Sequence, residues 1–252
     1  MQAGHILNTR PLDRADALSQ ALRHAGYRVS ELPLLDFEVC PLPIASQARL
    51  ADVRAGDVVV VVSPMAAQLG LAWIAQHPHT NWQHVQWFAV GEATAQVLAQ
   101  AGFWAKIPAR ANSEGLLVLP EISQLQPPTR VMVWRGEGGR ELIQDTLLQR
   151  GVELHSIAFY RRILPTQSMT QWRAWSEADR PQYVLMTSGE AWENWCQMVG
   201  SYALQPTFLV YGEHLQRRLS SHVQTICLSS LQPQAVVEAL ANAQRAGVWG
   251  AS

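Results

Sequence analysis

Residues 125 positions apart (135 minus 10) match along this chain. Arg10 answers to Arg135, Gly26 to Gly151 and Ser63 to Ser188. Between these anchors Leu18, Leu22 and Val29 fall on Ile143, Leu147 and Leu154. A single offset held from Arg10 to Ser63 points to two similar halves produced by duplication. Whatever one half folds into, the other is expected to repeat.

Each half alternates strand and helix signals. Ile6-Leu7 is a short apolar strand, and a helix is predicted over 13–25, with Ala17, Leu18, Ala21 and Leu22 on one face and Gly26 as its stop. A strand follows over Tyr27–Pro33, and Val58–Val62 is the β-branched run of a strand buried on both faces. Helix 66–76, strand 87–90 and helix 93–101 complete the unit, and Ser113 is expected to cap another helix. The second half predicts strands over 131–134, 153–159, 183–186 and 208–210. Its helices are expected over 141–149, 191–198 and 213–219, with a last one from Pro233 to about 246. Alternating β and α implies a parallel sheet covered by helices on both faces. Two proline-bounded apolar segments interrupt the rhythm at the same place in each half, LPLLDFEVCPLP and IAFYRRILPT. Read as paired linkers at about 33–43 and 157–166, they divide the chain into a discontinuous lobe, 1–34 plus 166–252, and a second lobe, 38–162. A cleft beside such a hinge is a common place for ligands.

Composition narrows the function. Lys and Arg number 19 against 20 Asp and Glu, a net charge of −1, so no global field draws in nucleic acid or a membrane surface. Three scattered cysteines show neither zinc spacing nor a disulfide framework. Met1–Leu7 has no basic segment or long apolar run, so no signal peptide is read and a cytoplasmic setting is expected. Ligands of open α/β sheets bind beyond the carboxyl ends of the strands. Those ends carry Thr9-Arg10, Ser63-Pro64, Arg135-Gly136, Thr187-Ser188 and a Gly91–Thr94 turn that opens a helix. Hydroxyls, arginines and free helix amides suit carboxylates or phosphates. The third glycine of a dinucleotide fingerprint is missing after Gly136 and Gly138, where Glu141 stands, and no GxxxxGK[ST], GxSxG or HExxH occurs.

Every one of these residues also has a plain reading. Thr9, Ser63, Ser113 and Ser188 are the residue types that cap helices. The glycine loop is the composition of a tight turn, Arg10 and Arg135 suit surface ion pairs of little weight, and Tyr160 suits packing. Trp73, Trp192 and Trp195 at helical spacing read as core.

Taken together and in order, Thr9-Arg10-Pro11, Glu31–Leu34, Ser63-Pro64, AVGEATA (Ala89–Ala95), RGEGGR (Arg135–Arg140), Tyr160 and MTSG (Met186–Gly189) resemble the uroporphyrinogen-III synthase family over nearly the whole chain. The resemblance implies two flavodoxin-like lobes joined by a two-stranded linker, with the tetrapyrrole bound between them. It implies cyclisation of hydroxymethylbilane to uroporphyrinogen III with inversion of ring D and loss of water, by a monomer without cofactor or metal. The linker tyrosine proposed in the family as proton donor falls on Tyr160. The threonine of the first VGxxTA motif falls on Thr94, and Thr9, Arg10, Ser63, Arg135, Gly136, Thr187 and Ser188 become candidates for substrate binding. One departure stands out: the second GxxTA motif reads Gly212-Glu213-His214-Leu215, with leucine where the family often has threonine. The second reading is a non-catalytic two-lobed binder or sensor of an anionic small molecule.

Overall fold

The computed structural model describes residues 4–246. The chain divides into two compact units, leaving the first after Asp36 and returning to it at Ile163, with Phe37–Arg162 inserted as the second. The discontinuous unit holds β1 (His5–Asn8), α1 (Asp16–His24) and β2 (Arg28–Glu31). In the inserted unit follow β3 (Asp36–Val39), α2 (Ile44–Ala51), β4 (Val58–Val61), α3 (Pro64–Gln76), β5 (Gln86–Ala89), α4 (Glu92–Gln100) and β6 (Ala105–Lys106). Then come α5 (Ser113–Leu117), α6 (Pro120–Ser123), β7 (Arg130–Gly136), α7 (Leu142–Gln149) and β8 (Glu153–Ile163). The discontinuous unit is completed by α8 (Thr166–Ala174), β9 (Tyr183–Met186), α9 (Gly189–Val199), β10 (Thr207–Tyr211), α10 (Glu213–Leu219), β11 (Thr225–Leu228) and α11 (Pro233–Arg245).

The two sheets have the same plan. One runs β2-β1-β9-β10-β11; the other runs β8-β7-β4-β5-β6, with β3 added outside β8. The pairings agree in register as well. His5 lies opposite Arg28 and Arg130 opposite Glu153, while Ile6 lies opposite Tyr183 and Val131 opposite Val58, each pair displaced by the sequence offset. Parallel β4 buries all four valines: Val59 and Val61 face one core cluster, Val58 and Val60 the other. Helices on both faces supply the covering layers.

Residues 157–163 of the second linker are extended and continue β8 as one strand of 11 residues, and β3, which falls within the first linker, pairs with it. One expectation is corrected by the structure. The cap of α5 is Asn112, whose Oδ1 accepts from the Gly115 N–H at 2.7 Å; Ser113 is the first helical residue. Ser63 and Ser188 do cap α3 and α9, accepting from Ala66 and Ala191 N–H at 3.1 Å each. Leu215 lies in the buried cluster of the discontinuous unit with Val210 and Leu219, so the residue that departs from the family pattern is a core residue. Among the described residues no helix is long and apolar enough to cross a membrane.

Tryptophan fills both cores. Trp195 is fully buried and meets Trp172 edge-on at 5.3 Å. In the inserted unit Trp134 packs against Trp82, Trp87 and Phe159, and α3 can lie over it only because Gly70 has no side chain: a Cβ there would stand 2.1 Å from the ring. Gly70→Ala is therefore expected to destabilise by about 1–3 kcal/mol through overpacking, despite alanine's better helix propensity. Urea unfolding checks this, and an unchanged midpoint would show that α3 gives way without strain.

At the amino edge of the inserted sheet, Asp57 is 3% exposed and meets three arginine residues. Arg49 reaches it at 3.3 Å and Arg130 at 3.6 Å, and the Arg54 N–H donates to it at 3.0 Å. In the other unit His5 is buried in β1, with Nε2 2.9 Å from Ser30 Oγ. Burial first, and the Arg28 guanidinium second, hold its pKa below the ordinary histidine value. The native state thus binds this proton less readily than the unfolded chain. Stability is complete above the ordinary histidine value, about 6.5, and is lost on acidification below it. Urea midpoints at pH 7.5 and 5.5 should differ less in His5→Gln than in the parent; equal differences would clear His5.

Candidate functional site

The polarity of a parallel sheet directs attention to the carboxyl ends of its strands, at the point where adjacent connections leave on opposite faces. In the inserted unit that point lies between β4 and β7: α3 packs in one core cluster and α7 in the other. A cavity of about 290 Å³ opens there. It is lined by Ser63 after β4, Arg135 and Gly136 at the end of β7, the turn to Arg140, Gln144 of α7, and Tyr160 and Arg162 of β8.

Tyr160 reaches the cavity through a break in register. β7 and β8 pair residue for residue as far as Arg135 opposite Ala158, after which Gly136 pairs with Tyr160. Phe159 is the extra residue of a bulge. Strict alternation would send Phe159 and Tyr160 to opposite faces, yet both join the same buried cluster. The phenol is then fixed on several sides. Its hydroxyl is 3.0 Å from Ser63 Oγ, Phe37 meets its ring edge-on at 5.3 Å, and its own carbonyl accepts from the Glu137 N–H at 2.6 Å. Gly136 is required beneath it, since a Cβ would stand 2.6 Å from the ring. Tyr160 is 5% exposed overall.

Arg135 is not a surface residue. At 8% exposure, its Nε donates to Gly136 O at 3.1 Å and one Nη to Gly138 O, and the Gln144 amide lies against the guanidinium. It braces the loop that follows it. That loop needs its glycines, because Gly138 and Gly139 take φ of +72° and +85°. The lining carries three arginines (Arg135, Arg140 and Arg162) and one glutamate, Glu137; Arg140 also pairs with Glu114 at 3.1 Å and Arg135 with Glu141 at 3.8 Å.

Four sequence candidates, Ser63, Arg135, Gly136 and Tyr160, thus meet in one cavity. Thr94 lies in the first turn of α4, 4% exposed, and is not part of its lining. The other four stand at the matching strand ends of the discontinuous unit. Thr9, 3% exposed, follows β1 and donates to Leu185 O rather than capping a helix; Arg10 adjoins it, and Thr187 and Ser188 follow β9. Arg140, Arg162 and Gln144 were not among the sequence candidates. For Arg162 a signal existed, since it lies two residues beyond Tyr160 on one strand and therefore on the same face.

A family model described as uroporphyrinogen-III synthase HemD matches residues 16–235. Among curated proteins, the uroporphyrinogen-III synthase of Salmonella typhimurium is 36% identical over 161 residues, 62% of this chain and 64% of that protein. The Escherichia coli protein of the same name is 31% identical over 188 residues, 73% of this chain and 76% of its own length. Among solved structures, a mutant uroporphyrinogen III synthase from Thermus thermophilus superposes with a TM-score of 0.65 at 16% identity, covering 96% of this chain and 98% of that one. The Helicobacter pylori uroporphyrinogen-III synthetase gives 0.55 at 14% identity, covering 96% and 99%. At such identities the structures speak for a shared α/β fold.

Proposed function

The chain belongs to the uroporphyrinogen-III synthase family, and from that premise we propose that it closes hydroxymethylbilane to uroporphyrinogen III, inverting ring D and releasing water. The observation that carries the reading is the phenol of Tyr160, fixed at the lip of an arginine-lined cavity at the switch point of the inserted sheet.

The substrate is a flexible polycarboxylate that ionises readily once its terminal hydroxyl is protonated, and left alone it closes without inversion. The enzyme's work is to hold the end rings so that the substituted carbon of ring D attacks first, which is catalysis by orientation. Arg140 and Arg162, the braced glycine loop and the amino end of α3 favour anionic side chains at this place. Thr9, Arg10, Thr94, Thr187 and Ser188 are read as further substrate contacts. A phenol keeps its proton at neutral pH and can donate it. Tyr160 gives that proton to the departing hydroxyl while the pyrrole nitrogen supplies electrons to the breaking C–O bond. Ring closure later releases a proton from a pyrrole carbon, which restores the phenol, so the net loss is one water. None of this calls on a redox group, and the sequence has no metal, nucleotide or flavin motif. We read the protein as a cytoplasmic, cofactor-free monomer.

Incubation with freshly generated hydroxymethylbilane, followed by separation of isomers, tests the assignment. The III isomer is expected, with full activity after exhaustive chelation. Tight binding with only the I isomer at the uncatalysed rate would establish the non-catalytic binder, and activity restored by added metal would overturn the cofactor-free reading.

A further inference from the structure

Ser63 has one proton and two lone pairs, and their uses are constrained. As cap of α3 its oxygen accepts from the Ala66 N–H at 3.1 Å, and the same oxygen lies 3.0 Å from the Tyr160 hydroxyl. In the resting protein either hydroxyl can be the donor. Once the phenol has given up its proton, only Ser63 can donate. The bond then changes from neutral to charge-assisted, roughly twice as strong. An interaction that strengthens as charge develops lowers the barrier without tightening ground-state binding.

The surroundings hold this geometry. The α3 cap fixes the Ser63 oxygen from one side, while the β8 bulge, the bare Gly136 and the edge of Phe37 fix the ring from the other. A serine that donates to the phenol oxygen also leaves the phenol's own proton free to point into the cavity. We propose that Ser63 is a positioning residue for proton transfer: it orients the Tyr160 hydroxyl and stabilises the phenolate, rather than serving mainly as a contact for the substrate's carboxylates. The proposal rests on Tyr160 acting as the proton donor.

The test is a double-mutant cycle on the full chain with Ser63→Ala and Tyr160→Phe, reading kcat and KM for III-isomer formation. In the parent background Ser63→Ala should lower kcat about tenfold, less than the roughly 10²–10³-fold lost with an oxyanion-hole donor because the serine acts only through the phenol, with KM unchanged. In the Tyr160→Phe background the same change should cost less than about twofold, because the group it acts through is gone. Ser63→Thr, which keeps both hydroxyl and cap, should restore most of kcat. Should Ser63→Ala fold poorly, Ser63→Gly removes the hydroxyl while keeping a residue that is well tolerated at a helix N-cap. Equal losses in both backgrounds, or a rise in KM alone, would overturn the proposal and leave Tyr160 as donor. A Tyr160→Phe enzyme as fast as the parent would overturn both, and a parent that makes no III isomer would overturn the activity itself.

Discussion

Tyr160→Phe is expected to slow formation of the III isomer by roughly 10²-fold, the lower end of general-acid effects. The modest size follows from the chemistry. Departure of the hydroxyl is assisted by the phenol and driven by the pyrrole nitrogen, so orientation continues to contribute after the acid is lost. The fold should survive, since phenylalanine keeps the edge-on contact with Phe37 and the fit over Gly136. Unreacted substrate should close in solution, shifting the product toward the I isomer. Turnover and isomer ratio at equal folded concentration decide the matter. An unchanged rate would make Tyr160 a packing residue and assign the whole acceleration to orientation.

The largest stability effect is expected at the opposite edge of the same sheet. Asp57→Ala leaves Arg49, with 5% of its side chain exposed, and Arg130, with 11%, without their buried carboxylate. Removing one partner of a buried ion pair costs about 3–5 kcal/mol, mostly from the stranded charge. Asp52, with 54% of its side chain exposed, also pairs with Arg130, but Asp52→Ala should cost less than about 1 kcal/mol. Adding Arg49→Leu to Asp57→Ala should recover part of the loss. Urea unfolding of the four proteins checks the order, and a loss below about 1 kcal/mol for Asp57→Ala would show that water reaches the cluster.

Much of this architecture is legible along the chain, and the gaps have physical causes. Tyr183–Met186 and Glu213–Leu219 fall where apolar pattern places them, because strong signals end at clear punctuation. α8 is missed because TQSMTQWRA is mostly polar and buries only Ser168 and Trp172. β11 is a half-exposed edge strand of four residues, and β6 has only two. At the site, strand ends can be read from sequence, but side-chain direction cannot. Nothing in the spacing says that Arg135 folds back onto Gly136 and Gly138, or that a bulge at Phe159 turns Tyr160 inward. The Arg49–Asp57–Arg130 cluster also escapes notice, since pairing of distant strands brings Arg130 to Asp57.

The shared strand order carries a consequence for synthesis on the ribosome. In the inserted unit all strands arise in one uninterrupted stretch, whereas β1 and β2 must wait for β9, β10 and β11 before their sheet exists. Translation proceeds at about 5–20 residues per second, and domains fold as units. The inserted unit is therefore expected to fold while the first two strands still lack β9, β10 and β11, which leaves the apolar Ile6 and Leu7 without the rest of their core for several seconds. Pulse proteolysis of nascent chains stalled beyond residue 200 should find 37–162 protected and the first 36 residues cut. Equal protection of both would mean that β1 and β2 find shelter before their own sheet is made.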